Sequence, residues 1–208
     1  MTVGDQRRGR GRPKGTGRID PNAIVDTALD ALARGGYPAL TMRGVARTMG
    51  VSLTTLQHHF PTKDALWRAA IDAMTSTAIR SRSHLDPADL SGHISAILDQ
   101  GRTRPGLLAS LLTDRSAGSS ERIAYLADRF AGGLAQPIDR FSELEADHVI
   151  RPVDRNALLA LITIGVGSIA SAAGAVRAIY GFDLDDPDDR QALAAGLSEI
   201  IGLGVLER

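Results

Sequence analysis

The chain has 208 residues, 43% of them hydrophobic and 23% charged, proportions that support one globular domain or two small ones, each able to bury a core. It contains no cysteine, which excludes a disulfide framework, thiolate metal sites, iron–sulfur clusters and cysteine catalysis, and points to a reducing compartment, the cytosol. The formal net charge is zero, but residues 1–68 hold eleven basic and five acidic side chains, a net of +6 that the remainder balances at −6; such a split is expected where one end meets a polyanion.

Residues 1–18 combine five glycines and six basic residues with Met1 and Val3 as the apolar members, too few to offset ordering entropy, and are expected to form a flexible basic arm. They lack an apolar h-region, so no secretory signal is expected. Asp20-Pro21 reads as an N-cap with proline at the first helical position. Ile24, Val25, Ala28, Leu29 and Leu32 follow at helical spacing, and Gly35-Gly36 ends the run. Thr41 caps a short helix through about Met49 with Val45 and Ala46 inward, Gly50 turns the chain, and Ser52 caps a third helix. Phe60-Pro61 closes it. Thr62 caps a fourth, whose stripe runs from Ala65 and Leu66 to Thr77 and Ala78. Further helices are expected near 88–100, 105–115, 120–146 with Pro137 as a break or kink, 154–179 and 187–206. No useful strand pattern is present, so the fold class is all-α.

Met42–Met49, the Gly50-Val51-Ser52 turn and Leu53–His59 describe a helix-turn-helix. Its second helix must be slim and polar outside to enter a major groove about 12 Å wide. Thr54, Thr55, Gln57 and His58 supply the outer groups, and Val51, Leu56 and Phe60 the inner ones.

Ile24-Val25-Asp26-Thr27-Ala28, the Gly35-Gly36 break, Leu40-Thr41-Met42-Arg43-Gly44-Val45-Ala46, Gly50-Val51-Ser52 and the run from Leu56 to Leu66 match in order and spacing a known pattern. Over about residues 20–68 the chain resembles the DNA-binding domain of tetracycline-repressor (TetR) family regulators. The resemblance implies a dimeric bacterial transcription factor, usually a repressor, with an all-α C-terminal domain that binds a small effector. It implies a helix-turn-helix domain over 19–66, an effector-binding and dimerisation domain over 67–208, and double-stranded operator DNA as partner. Thr41, Arg43, Ser52, Thr54, Thr55 and His58 become candidates for groove or nearby phosphate contacts, and His59 and Lys63 match positions that touch backbone phosphate. Where the family usually has tyrosine this chain has Gln57, which can anchor on phosphate or bond adenine N6/N7.

In the arm, Arg10-Gly11-Arg12-Pro13-Lys14 is similar to the core of an AT-hook, an Arg-Gly-Arg segment that enters a narrow A·T minor groove. The alternative is a polybasic tail that raises affinity through counterion release. An architectural minor-groove binder is accordingly the second functional reading.

Residues 157–176 carry no charge and are long enough, as one helix, to cross a bilayer. Their Ala, Gly, Ser and Thr content suits close helix packing better. The resemblance implies that this helix and residues 187–206 pair with their copies as a four-helix dimer interface, with no membrane involved. Gly165-Val166-Gly167-Ser168-Ile169-Ala170 fits G-x-G-x-x-A, with Asp183 and Asp185 following, as a nicotinamide-dependent oxidoreductase would need, but no strand pattern accompanies it. No phosphate loop, H-E-x-x-H pair or G-x-S-x-G elbow is present. No catalytic residue, cofactor or metal site is therefore expected. Asp89 and His93, one helical turn apart, read as a surface hydrogen bond, and Asp185-Asp186-Pro187-Asp188-Asp189 as an acidic helix start. The resemblance suggests an effector pocket between the helices of residues 65–177. Met74, His84, His93, Leu98, Leu108, Leu111, Tyr125, Phe130 and Ile162 are candidates by location.

Overall fold

The computed structural model describes residues 19–83 and 89–205, without the side chains of residues 82, 132–141 and 205. The basic arm with Arg10, Arg12 and Lys14, and the pocket candidate His84, lie outside the described residues.

Helix α1 (Pro21–Ala39) starts as its sequence dictates: the Asp20 carboxylate accepts from the Asn22 amide at 2.9 Å, with proline in the first turn. It is broken at Gly35-Gly36, where Gly36 takes φ +65°. A side chain there would be strained and would lie 3.3 Å from the Ser110 carbonyl oxygen, so the break also lets a later helix approach. Helices α2 (Met42–Thr48), α3 (Leu53–His59) and α4 (Lys63–Arg82) come next, each capped by the threonine or serine before it: Thr41 to Gly44, Ser52 to Thr55 and Thr62 to Ala65, all at 3.0 Å. Then come α5 (Leu90–Thr103), α6 (Leu107–Leu112), α7 (Ser119–Ala146), α8 (Arg155–Ala160), α9 (Gly167–Ser171), α10 (Ala173–Tyr180) and α11 (Pro187–Val205). Among the described residues there is no extended strand.

One core gathers Ile24, Ala28 and Leu32 of α1 with Leu40, Val45, Leu56, Leu66, Trp67 and Ile71, and closes over Leu107, Leu111 and Leu126 from α6 and α7. It therefore spans the helix-turn-helix and the helices behind it. A second core joins Ile94, Ile97 and Leu98 of α5 to Leu158, Ile162, Val166 and Ala170, and to Ala194 and Ile201 of α11.

Two expectations change. Helix α7 runs as helix across position 137, so Pro137 does not break it. The single helix expected over 154–179 is instead α8, a π-helical turn (Leu161–Val166) and α9, followed by an 81° bend into α10. Ala172 leaves helical geometry at φ −104°, ψ 26°, and the flanking Ser171, Ala173 and Gly174 offer no bulky side chain to pack across the corner. No single helix among the described residues is long and apolar enough to cross a membrane; only the bent pair reaches that length and composition together. The small residues act inside the chain. A Cβ on Gly101 would fall 2.2 Å from Ala170 Cβ, and one on Gly167 would fall 2.6 Å from Leu108 Cδ2. Gly165 and Gly167 thus sit in helical backbone, without the strand that a dinucleotide turn requires before it. The acidic run closes the start of α11: Asp186 accepts from the Asp188 amide at 2.8 Å and Asp189 from the Asp183 amide at 2.7 Å.

Because α5 and α9 touch through Gly101, Gly101→Ala is expected to force them apart and lower stability by about 1–3 kcal/mol. Urea unfolding monitored by circular dichroism checks this, and an unchanged midpoint would refute the close approach.

Candidate nucleic-acid interface

The turn between α2 and α3 is built from backbone bonds that its sequence allows. The Met49 amide donates to the Val45 carbonyl at 2.9 Å, the Val51 amide reaches the Ala46 carbonyl at 3.0 Å, and Gly50 between them adopts φ +67°. Ser52 restarts the chain in extended geometry at φ −72°, ψ 151°. Its hydroxyl caps α3 and lies 2.7 Å from the Thr55 hydroxyl. Beneath α3, Leu56 is fully buried, and half-buried Val51 and Phe60 pack on the same core. One face of a two-turn helix is thereby clamped, and the other carries what is polar.

On that outer face Thr54, Gln57 and His58 are exposed, with Thr55 and His59 beside them. The His58 and His59 rings meet edge to face at 5.7 Å. Thr41, Arg43 and Arg47 flank them around α2. Residues 41–63 contain no carboxylate, so no fixed negative charge within this stretch opposes a phosphate backbone. Among the described residues, no group of three His, Cys, Asp or Glu side chains could hold a metal ion.

Lys63 is placed differently from its neighbours. It is half-buried, with Nζ 3.7 Å from the centre of the Tyr37 ring. Burial, with Arg122 nearby, holds its ammonium below the usual lysine value against the opposing pull of Asp64 and Asp114. The Arg122 guanidinium also lies against the Tyr37 ring at 3.6 Å. The Tyr37 hydroxyl donates to Asp64, and burial and that bond push its pKa up to about 12. Tyr37 further meets Trp67 edge to face at 6.5 Å, and Trp67 meets Tyr125 at 5.6 Å. These contacts tie the end of α1 and the start of α4 to α7. A second tie lies on the other side of α1, where Arg104 Nη2 donates to Asp26 at 2.9 Å and Arg104 Nε to Asp30 at 3.0 Å. Neither tie is legible in the sequence: Asp26 and Asp30 stand one helical turn apart, but their partner lies more than seventy residues on.

Of the effector-pocket candidates, Met74, Leu108 and Phe130 line a cavity of about 80 Å³ between α4, α5, α6, α7 and the α8–α9 helix, and Met74 also faces an open groove of about 750 Å³ between α1, α4 and α5. Leu98 and Ile162 belong to the second core and Leu111 to the first. Tyr125 hydrogen-bonds Asp72 at 2.8 Å, and His93 lies half-buried on α5.

Arg122 is anchored by a buried pair with Asp114 at 2.8 Å. Burial raises the Asp114 carboxyl, but hydrogen bonds from the Ser116 hydroxyl and amide and from Arg122 outweigh it, holding the group below the ordinary value of 3.8. A depressed carboxyl contributes stability above its unfolded pKa and loses it as pH falls through the folded one. Asp114→Asn is therefore expected to cost about 3 kcal/mol at neutral pH by leaving buried Arg122 unpaired, with the gap to wild type closing below the ordinary value of 3.8. Chemical denaturation across a pH series measures both.

Residues 24–70 match the model of the family described as bacterial regulatory proteins, tetR family. The HTH-type transcriptional regulator RutR of Escherichia coli K12 is 28% identical over 173 residues, covering 79% of this chain and 80% of that protein. Among solved structures, the transcriptional regulator SCO4942 of Streptomyces coelicolor superposes with TM-score 0.66 at 24% identity, over 86% of this chain and 96% of that one. The fatty acid degradation regulator FadR of Bacillus halodurans superposes with TM-score 0.67 at 17% identity, over 91% and 96%. At these identities the superpositions carry the fold. Residues 24–70, which hold the helix-turn-helix, thus carry the DNA-binding domain of the tetR family of bacterial regulatory proteins, and the alignment with RutR continues across most of both chains.

Proposed function

We propose that this ligand-responsive DNA-binding regulator acts as a homodimeric repressor in the cytoplasm, on nucleoid DNA, holding an inverted-repeat operator until a small effector enters its helical body. The observation that carries the reading is α3, clamped by Leu56 underneath and presenting Thr54, Gln57 and His58 outward within a stretch, residues 41–63, that holds no carboxylate. Arg43 and the caps Thr41 and Ser52 stand where a groove wall would pass, and Thr55 and His59 flank the reading face. Lys63 reaches phosphate only by leaving Tyr37, so we assign it the weaker contact.

Dimerisation through α10 and α11 is supported by large apolar side chains that this chain leaves exposed: Ile179 at 68%, Tyr180 at 71%, Ile200 at 69% and Leu203 at 67%. A two-fold dimer sets two α3 helices at one fixed separation, which demands matched half-sites. An effector that tilts α4 spoils that separation. Moving the population from 99:1 to 1:99 takes about 5.5 kcal/mol, or about 2.7 per pocket if two act equally. The domains we assign are 19–66 for DNA binding and 67–208 for effector binding and dimerisation, with 1–18 as a basic arm.

Footprinting of purified protein on DNA flanking its own gene is expected to protect a dyad-symmetric site. Protection without symmetry would favour an architectural binder, and no protection at moderate salt would overturn the reading. Gln57→Ala is expected to relax preference at one base pair per half-site by about 1–3 kcal/mol if Gln57 reads adenine, and to weaken all sequences equally if it anchors phosphate; a competition assay on operator variants separates the two. Deleting residues 1–18 is expected to weaken binding and flatten its salt dependence, by about 0.9 in slope for each phosphate the arm neutralises; an unchanged slope refutes a role for the arm.

A further inference from the structure

The 80 Å³ cavity has a pronounced chemical bias. Met74, Ile97, Leu107, Leu108 and Phe130 make most of its wall apolar, and Arg104 is the single ionisable side chain among the described residues that line it. The hydroxyls around it cannot serve an anion, because each donates to its own helix: Thr75 to the Ile71 carbonyl at 2.9 Å, Thr163 to that of Leu159 at 2.6 Å and Ser171 to that of Gly167 at 3.0 Å. The side-chain donors left are Arg104 and Gln100, whose amide makes one long contact of 3.4 Å to the Met74 carbonyl. A cationic guest would meet no carboxylate on this wall, and a neutral apolar one would gain nothing from the guanidinium.

Arg104 already has a task. Through Nε and Nη2 it holds Asp30 and Asp26 on the face of α1, each by one oxygen, from carboxylates that are 54% and 64% exposed. Contacts that wet are weak and exchangeable. A carboxylate approaching from the cavity side offers two oxygens to the planar guanidinium against a mostly apolar wall, which is the stronger arrangement.

We propose that the cavity binds a short-chain carboxylic acid whose carboxylate takes Arg104 away from Asp26 and Asp30, so that one side chain both recognises the effector and releases α1. The idea rests on the reading of the protein as an effector-controlled regulator and adds the ligand class and the coupling residue. The volume is about half that of a cavity known to hold benzene, which fits a chain of about two to four carbons. The 750 Å³ groove shares Met74, Gln100, Arg104 and Leu107 with the cavity and supplies the way in.

The test uses the full-length protein, with calorimetric titration of straight-chain monocarboxylates from acetate to hexanoate and of the matching primary amides at constant ionic strength. Wild type is expected to bind the acids, best at propionate or butyrate, and not the amides. Asp26→Asn with Asp30→Asn leaves the cavity wall intact and removes the competitors, so it is expected to bind butyrate about tenfold more tightly. Arg104→Met is expected to abolish binding of the acids. Amides binding as well as acids, or the double variant binding no more tightly than wild type, would overturn the proposal. Fluorescence anisotropy on footprinted DNA runs alongside: intact DNA binding with no response to acids sinks this inference alone, and absent DNA binding without ligand sinks the regulator reading instead.

Discussion

Helix α1 is packed from two sides at once, and that shared burial constrains everything around it. Its inner face supplies Ile24, Ala28 and Leu32 to the core under the helix-turn-helix. Its far end is gripped by α6: the Ser110 hydroxyl donates to the Leu32 carbonyl at 2.8 Å, and Gly106, at φ +82°, brings its backbone against the Ala33 carbonyl. Close-packed interiors do not deform continuously. A shift of α6 must therefore either carry α1 with it or break these contacts, and α3 rides on the same core through Leu56.

Electrostatics sorts the same way. Each acidic side chain of residues 19–68 has a partner: Asp26 and Asp30 bind Arg104, Asp64 accepts from the Tyr37 hydroxyl, and Asp20 caps α1. Each is turned to structural use, which leaves the exposed face of α2 and α3 with Arg43 and Arg47 unopposed within residues 41–63. The charge split along the chain is thus sharpened in space by where the acids find partners.

Much of this is legible in the sequence because it is local. Asp20, Thr41, Ser52 and Thr62 act as caps by rules spanning three residues, and Gly50 turns by a rule spanning one. Val45, Ala46 and Leu56 are inward by helical period alone. The illegible part depends on distant encounters. Nothing near Asp26 or Asp30 announces Arg104, and Tyr37 beside a glycine break gives no sign that Lys63 and Arg122 will close on its ring. The corner at Ala172 is hidden for the opposite reason: an uninterrupted run of small and apolar residues satisfies helical period on either side of a bend. Thr54, Thr55, Gln57 and His58 follow from the pattern of α3, and Thr41, Arg43, His59 and Lys63 from the family resemblance, whereas the polar anatomy of the cavity exists only once five helices meet.

The π turn at Leu161–Val166 accommodates one residue more than an α-helix would over the same rise. The wide turn absorbs that surplus, so the side chains of α9 keep the phase of a regular helix one residue shorter. A chain lacking one residue here would wind on as regular α-helix with Ala170 still against Gly101 and Gly167 still against Leu108. The same deletion a turn later, in α9, would rotate every following side chain by about 100° about the axis. The wide turn is therefore a place in this seam where the chain length can change by a residue without re-indexing the contacts between the second core and the segment that leads to α10 and α11.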